Sequence, residues 1–154
     1  MTQEIAKKGC AVIVGVGPGL GRSLALRFAK GGYHVALVSR SKTSTEPVAK
    51  EILTTHKNIK TLCLSVNTQE EDIKKAHKEI QTELGDVEVL CYNASTAHNG
   101  IKKKKGFNKK SITEVTQEEM MNAFNVSCVG AAIWSKVVVP AMIQNQKGTI
   151  LFTG

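Results

Sequence analysis

Short apolar runs of strand length alternate along this chain with stretches of helical period. Cys10 to Val14 (CAVIV) is continuous, apolar and rich in β-branched residues, the pattern of a strand buried on both faces. After it Leu20, Leu24 and Phe28 recur at helical spacing, with Ala25 and Ala29 on the same face, until Gly31-Gly32 breaks the pattern. Tyr33 to Val38 reads as a second buried strand. Glu46 to His56 follows as a helix opened by Ser44-Thr45, with Pro47 in its first turn. Lys60 to Val66 is the third strand. The next helix starts at Thr68, carries Glu70 and Glu71 in its first turn, turns Ile73, Ala76, His77, Ile80 and Leu84 to one face and ends at Gly85. His77 on that face reads as a rim residue rather than a ligand. Val87 to Tyr92 is the fourth strand, and Thr96 to Lys110, with His98, is a polar loop. Thr116 then caps a long helix whose inward side is traced by Met120, Phe124, Ser127, Cys128, Ala131 and Trp134-Ser135, before a fifth strand, Gly148 to Thr153. Strands and helices in strict alternation predict an α/β fold: a Rossmann-type, doubly wound parallel sheet.

The turn between the first strand and its helix carries the first candidate chemistry. It reads Gly15-Val16-Gly17-Pro18-Gly19-Leu20-Gly21. Glycines let backbone fold tightly against a ligand, and a helix N-terminus offers unpaired N–H groups and a positive dipole end to a phosphate. The spacing is not G-x-G-x-x-G, because Leu20 stands where the third glycine belongs, and no Gly-Lys-Ser/Thr follows it. It is G-x-x-x-G-x-G, through Gly15, Gly19 and Gly21. In a nucleotide-binding βαβ unit the end of the second strand faces the adenosine ribose, where an NAD site places a carboxylate. Here that position holds Ser39 and Arg40, and no acid follows until Glu46. A guanidinium there can grip a 2′-phosphate bidentately, so NADP(H) is expected over NAD(H).

Composition adjusts this picture in three places. At 154 residues, with 42% hydrophobic and 22% charged residues, the chain is sized for a single domain with a real core. No uninterrupted apolar run approaches a membrane span, and MTQEIAKKG at the N-terminus lacks the apolar segment of a secretory signal, so neither a membrane nor export is expected. Cys10, Cys63, Cys91 and Cys128 have no metal-ligand spacing, which predicts free thiols, no metal site and a reduced, cytoplasmic setting. The net charge is +8, and six lysines fall between Lys102 and Lys110 with Phe107 as the sole aromatic among them. Stacking on nucleic acid wants more aromatics than that, so a solvated lysine loop is expected and no nucleic-acid partner.

The glycine spacing, Asn93-Ala94-Ser95 directly after the fourth strand, and Phe124-Asn125-Val126-Ser127 in the long helix stand together in one order across the chain. In this the sequence resembles the short-chain dehydrogenase/reductase family. Asn93 and Ala94 match the Asn-Asn-Ala-Gly signature of that family, while Tyr92 replaces its first asparagine and Ser95 its glycine. The resemblance implies an oxidoreductase that transfers hydride between NADPH and a small carbonyl or alcohol substrate. It implies a cofactor site of Gly15, Gly17, Pro18, Gly19, Leu20, Gly21, Ser39, Arg40, Ser65, Val66, Asn93, Ala94 and Ser95. Ser65 falls where the family usually carries an aspartate on the adenine amino group, and Val66 offers its backbone there. Asn125 takes the place of the asparagine that holds a water in the proton relay. The family's serine and Tyr-x-x-x-Lys, its acid–base groups, have no counterpart in these residues, since Tyr33 and Tyr92 are the only tyrosines. The expectation is therefore one NADP-binding Rossmann domain over residues 1–154, truncated after the fifth strand, with a homo-oligomer for a full-length form. A catalytically inactive nucleotide-binding or interaction module is the alternative.

Overall fold

The computed structural model describes residues 9–96 and 112–153. His98, Phe107 and the lysine run from Lys102 to Lys110 lie outside the described residues.

The alternation is realised as β1 (Cys10–Val14), α1 (Leu20–Lys30), β2 (His34–Ser39), α2 (Lys42–Thr55), β3 (Thr61–Ser65), α3 (Glu70–Leu84) and β4 (Val87–Tyr92). A short 3-10 turn, Ile112–Glu114, leads to α4 (Gln117–Phe124), a π turn (Asn125–Val129), α5 (Gly130–Gln144) and β5 (Thr149–Phe152). The sheet is wholly parallel in the order β3-β2-β1-β4-β5, so the winding direction reverses on either side of β1. This is the doubly wound arrangement the pattern predicts.

Continuous apolar strands are explained by helices on both faces. Cys10, Val12 and Val14 point to one layer with Ala36, Val38 and Leu90, against Ile73, Ile80, Trp134 and Val138. Ala11 and Ile13 point to the other with Val35, Leu37 and Val89, against Ala25, Ala29, Val48 and Ile52. Each fully buried aliphatic side chain contributes about 1.5–3 kcal/mol, so β1 and β2, buried nearly throughout, anchor the fold. Ile73, Ala76, Ile80 and Leu84 form the inner face of α3 as expected, with His77 half-buried at its rim. Desolvation holds His77 below the usual imidazole range, against the pull of Asp86.

Three helices differ from expectation. In α1 the residues against the sheet are Gly21, Ala25 and Ala29; Leu24 and Phe28 flank them and Leu20 is 54% exposed. The small residues face inward because the glycine turn brings the helix too close to β1 for leucine. Helix α2 begins four residues early, at Lys42, because Ser41 rather than Ser44-Thr45 caps it: the Ser41 hydroxyl accepts from Thr43 N–H at 3.3 Å, while Thr45 is buried and donates to Lys42 O. Pro47 consequently lies inside the helix.

The long helix starts where predicted, on a capping box: Thr116 Oγ1 accepts from Glu119 N–H at 3.2 Å and Glu119 Oε2 from Thr116 N–H at 2.9 Å. Its inward side is the expected one at Ala131 and Trp134, both buried, but not before them. Met120, Phe124, Ser127 and Cys128 are exposed, and the inner ridge runs Val126, Gly130, Trp134, Val138 and Met142. The π turn inserts one extra residue, which rotates everything before it by about 100°. The continuous helix Gln117–Gln144 is also long and apolar enough, by length and composition, to cross a bilayer, which no single apolar run suggests. Within it α5 packs on β4 and α3, while α4 has no buried residue.

Candidate functional site

A cavity of about 560 Å³ opens at the carboxyl ends of β1, β2 and β4, the point where the strand order reverses. In a doubly wound sheet that crevice is where ligands bind. Its walls come from the glycine turn, the end of β2, the segment after β3, the end of β4, and the π turn.

The glycines of the turn divide their work. Gly15 has φ +91°, and a Cβ there would come within 2.5 Å of Ala94 N and 2.6 Å of Asn93 C. A Cβ on Gly21 would sit 2.5 Å from Gly15 O and 2.9 Å from Val16 Cα. Gly15 lets the turn lie against the end of β4, and Gly21 lets it close on itself. A Cβ on Gly17 or Gly19 would meet nothing within 4 Å. Their bareness serves no contact inside the protein and leaves space above the backbone. Gly19 is the N-cap of α1 and no side chain caps the helix; Arg22 N–H donates to Gly17 O at 3.2 Å, which leaves the Leu20 and Gly21 N–H groups for an anion.

At the end of β2, Ser39 and the exposed Arg40 line the cavity with Ser41 and Ser44. The Ser39 hydroxyl donates to Ser41 O and accepts from Ser41 N–H, which makes a tight turn. Ser65 Oγ donates to Arg40 O at 2.8 Å and pins the backbone beneath the guanidinium. Among the described residues Arg40 makes no ion pair, and no Asp or Glu lines the cavity.

Asn93 ties three strand ends together. Its Nδ2 donates to Gly15 O at 2.9 Å, Thr153 Oγ1 donates to its Oδ1 at 2.6 Å, and its backbone N–H reaches Val14 O at 2.8 Å. Asn93→Ala leaves Gly15 O and Thr153 Oγ1 without their partner, at a cost of about 2–3 kcal/mol. Calorimetry should show a melting point lower by roughly 4–10 °C; an unchanged one would mean the tie carries no weight.

Behind Asn93 the Tyr92 phenol is buried and donates to the carbonyl of Val126, in the π turn. Burial, reinforced by the nearby Cys128 thiol, pushes its pKa up to about 12, so it stays protonated as a donor. Burial likewise pushes Cys10 up to about 12 and Cys91 up to about 11, which leaves both thiols unreactive.

Of the residues singled out in the sequence, Gly15, Gly17, Ser39, Arg40, Val66, Asn93, Ala94 and Ser95 line this one cavity. Gly19 and Leu20 are exposed beside it with Pro18, Gly21 is buried under the turn, and Ser65 stands outside with its hydroxyl on Arg40. Asn125 is exposed and off the cavity wall, whereas Asn122, Val126, Gly130 and Trp134 are on it. Sequence reasoning missed these four, although their spacing of four residues was a visible signal. Asn67 and Thr68 complete the wall after β3.

Comparison with known proteins agrees with this geometry. A family model described as short chain dehydrogenase matches residues 9–154. A very-long-chain 3-oxoacyl-CoA reductase of Aspergillus terreus is 30% identical over 151 residues, 96% of this chain and 40% of that protein. The chain thus spans about two-fifths of the length of the curated relatives it matches. Among solved structures, a 3-ketoacyl-(acyl-carrier-protein) reductase from Brucella melitensis complexed with NADH superposes with a TM-score of 0.78 at 27% identity, covering 95% of this chain and 57% of that one. An alcohol dehydrogenase from Thermococcus sibiricus complexed with 5-hydroxy-NADP shares the fold, with a TM-score of 0.80 at 23% identity over 94% of this chain and 57% of that one.

Proposed function

This chain belongs to the short-chain dehydrogenase family, and from that premise we propose that it forms the cofactor site of an NADPH-dependent oxidoreductase acting on a carbonyl or alcohol. The observation that carries the reading is the cavity at the switch point, with bare glycines on one side and Ser39-Arg40-Ser41 on the other. The residues fit a dinucleotide phosphate. The uncapped N-terminus of α1, with Gly17 and Gly19 open above it, would receive the pyrophosphate. Arg40 would hold a 2′-phosphate, with Ser39 and Ser41 supplying hydroxyls, and the lack of any carboxylate at this end favours NADPH over NADH.

NADPH, when bound, supplies a hydride. The chain's own contribution is to bind and orient: Asn93 holds the floor of the cavity rigid, and Val66 to Thr68 border the side away from the glycine turn. No Tyr-x-x-x-Lys occurs in these 154 residues, and the Tyr92 phenol is committed to Val126. Reduction is therefore proposed for a protein in which an acid–base group accompanies this site. A 3-oxoacyl thioester is the first substrate to try, following the names of the curated relatives. Exposed Met120, Met121, Phe124, Ile143, Leu151 and Phe152 support association with further protein, and we propose a homo-oligomer.

Titration calorimetry with NADPH and NADH on the 154-residue chain tests the reading. NADPH should bind the more tightly. Binding of neither cofactor would overturn it. Binding without turnover in the intact natural protein would favour a nucleotide-binding module that performs no reduction.

A further inference from the structure

Three features around the π turn have no separate explanation. The Gly130 N–H reaches back five residues to the carbonyl of Asn125, where an α-helix would pair it with Val126, four back. The Val126 carbonyl, deprived of that partner, is taken by the Tyr92 hydroxyl, from a side chain only 4% exposed. Gly130 is buried, and a Cβ there would collide with that same hydroxyl while lying 3.4 Å from Thr68 Cγ2. The phenol thus occupies the space beside the backbone where Gly130 lacks a side chain and offers the carbonyl a substitute donor. The result bears on the cavity. Asn122, Val126, Gly130 and Trp134, which line it, follow one another at four-residue steps through the π turn.

We infer that Tyr92 is a positioning residue whose hydroxyl, by capturing the Val126 carbonyl, holds the π turn open and keeps the helix wall of the cavity in register. Without the hydroxyl the Gly130 N–H is free to return to Val126, the helix closes to α geometry, and residues before the turn rotate by about 100°. Asn122 then leaves the cavity wall and Asn125 changes direction with it. The inference rests on the proposed function only in taking a nicotinamide dinucleotide as the occupant of the cavity.

Tyr92→Phe and Gly130→Ala, alone and combined, test this in the 154-residue chain. The main readout is the hydrogen-bond partner of the Gly130 amide, by through-bond NMR coupling. In the unaltered protein the coupling should be to Asn125; in Tyr92→Phe it should move to Val126, with NADPH binding weaker by about tenfold. Gly130→Ala alone should lower the melting temperature, and adding Tyr92→Phe should restore it, because the colliding hydroxyl is gone. A Gly130 amide still paired with Asn125 in Tyr92→Phe would overturn the inference, even with a lower melting point, since that result describes a mere core filler. Should Tyr92→Phe alone not fold, a double variant no more stable than Gly130→Ala would overturn it equally. If the unaltered protein binds no nicotinamide cofactor but the coupling moves as described, the proposed function fails and the role of Tyr92 stands.

Discussion

Gly19→Val should weaken NADPH binding by about a hundredfold or more while leaving the melting temperature within about 4 °C of the parent. Gly19 is exposed, its Cβ would meet no atom within 4 Å, and it heads a helix that no side chain caps. A valine here displaces nothing in the protein, and its cost as an N-cap is about 1 kcal/mol. What it does fill is the space above the N–H groups of the first turn. Two charge-assisted hydrogen bonds lost from a pyrophosphate amount to about 3 kcal/mol or more, hence the hundredfold. Gly21→Ala makes the contrast. Its Cβ would lie 2.5 Å from Gly15 O and 2.9 Å from Val16 Cα, backbone atoms of the same turn that cannot swing aside. Overpacking of that kind costs about 1–3 kcal/mol, and the melting point should fall by several degrees before any ligand is added. Calorimetric binding and thermal scans on both variants separate the roles. Undiminished NADPH affinity in Gly19→Val would place the phosphates elsewhere.

That division between two closing and two open glycines could not be read from the sequence, although all of them were marked in it. Spacing identifies a glycine turn; only the approach of Gly15 to Asn93-Ala94 and of Gly21 to Gly15 shows which glycines the fold itself needs. Strands β1, β2 and β4 were legible because they are buried on both faces, where a continuous apolar run packs between two helical layers. Helix α3 was legible for a similar reason: its buried face is set by its own period. The Thr116 cap and the inward Ala131 and Trp134 were legible as well, but the face of α4 was not, because the π turn depends on a phenol 34 residues earlier in the chain. A local period carries no trace of such a partner. Ser65 illustrates a subtler limit. Its place after β3 aligns it with the family's adenine contact, yet Ser39 pairs with Ser65 across β2 and β3, which brings the Arg40 carbonyl within reach of the hydroxyl. The start of α2 was ambiguous because Ser41, Ser44 and Thr45 are all competent caps, and burial of Thr45 decides among them.

Arg40→Asp should reverse the cofactor preference, weakening NADPH by about a hundredfold and leaving NADH unchanged or somewhat tighter. Arg40 lines the cavity at the end of β2, is exposed, and makes no ion pair among the described residues, so replacing it breaks nothing that holds the fold. Its backbone is fixed independently of its side chain, through the Ser65 hydroxyl on its carbonyl and the Ser39–Ser41 turn. Aspartate at the same point removes a bidentate donor from a 2′-phosphate and sets a negative charge against it. On NADH the same carboxylate can accept from the ribose hydroxyls, which is how NAD-selective sites of this architecture are built. Because the site is open to solvent, the penalty on NADPH should shrink as salt is raised, while NADH binding stays flat. Equal loss of both cofactors would show that Arg40 supports the cavity without reading the ribose. Equal retention would show that NADPH preference, if the protein has one, is set elsewhere, and Ser41 and Ser44 would be the next residues to alter.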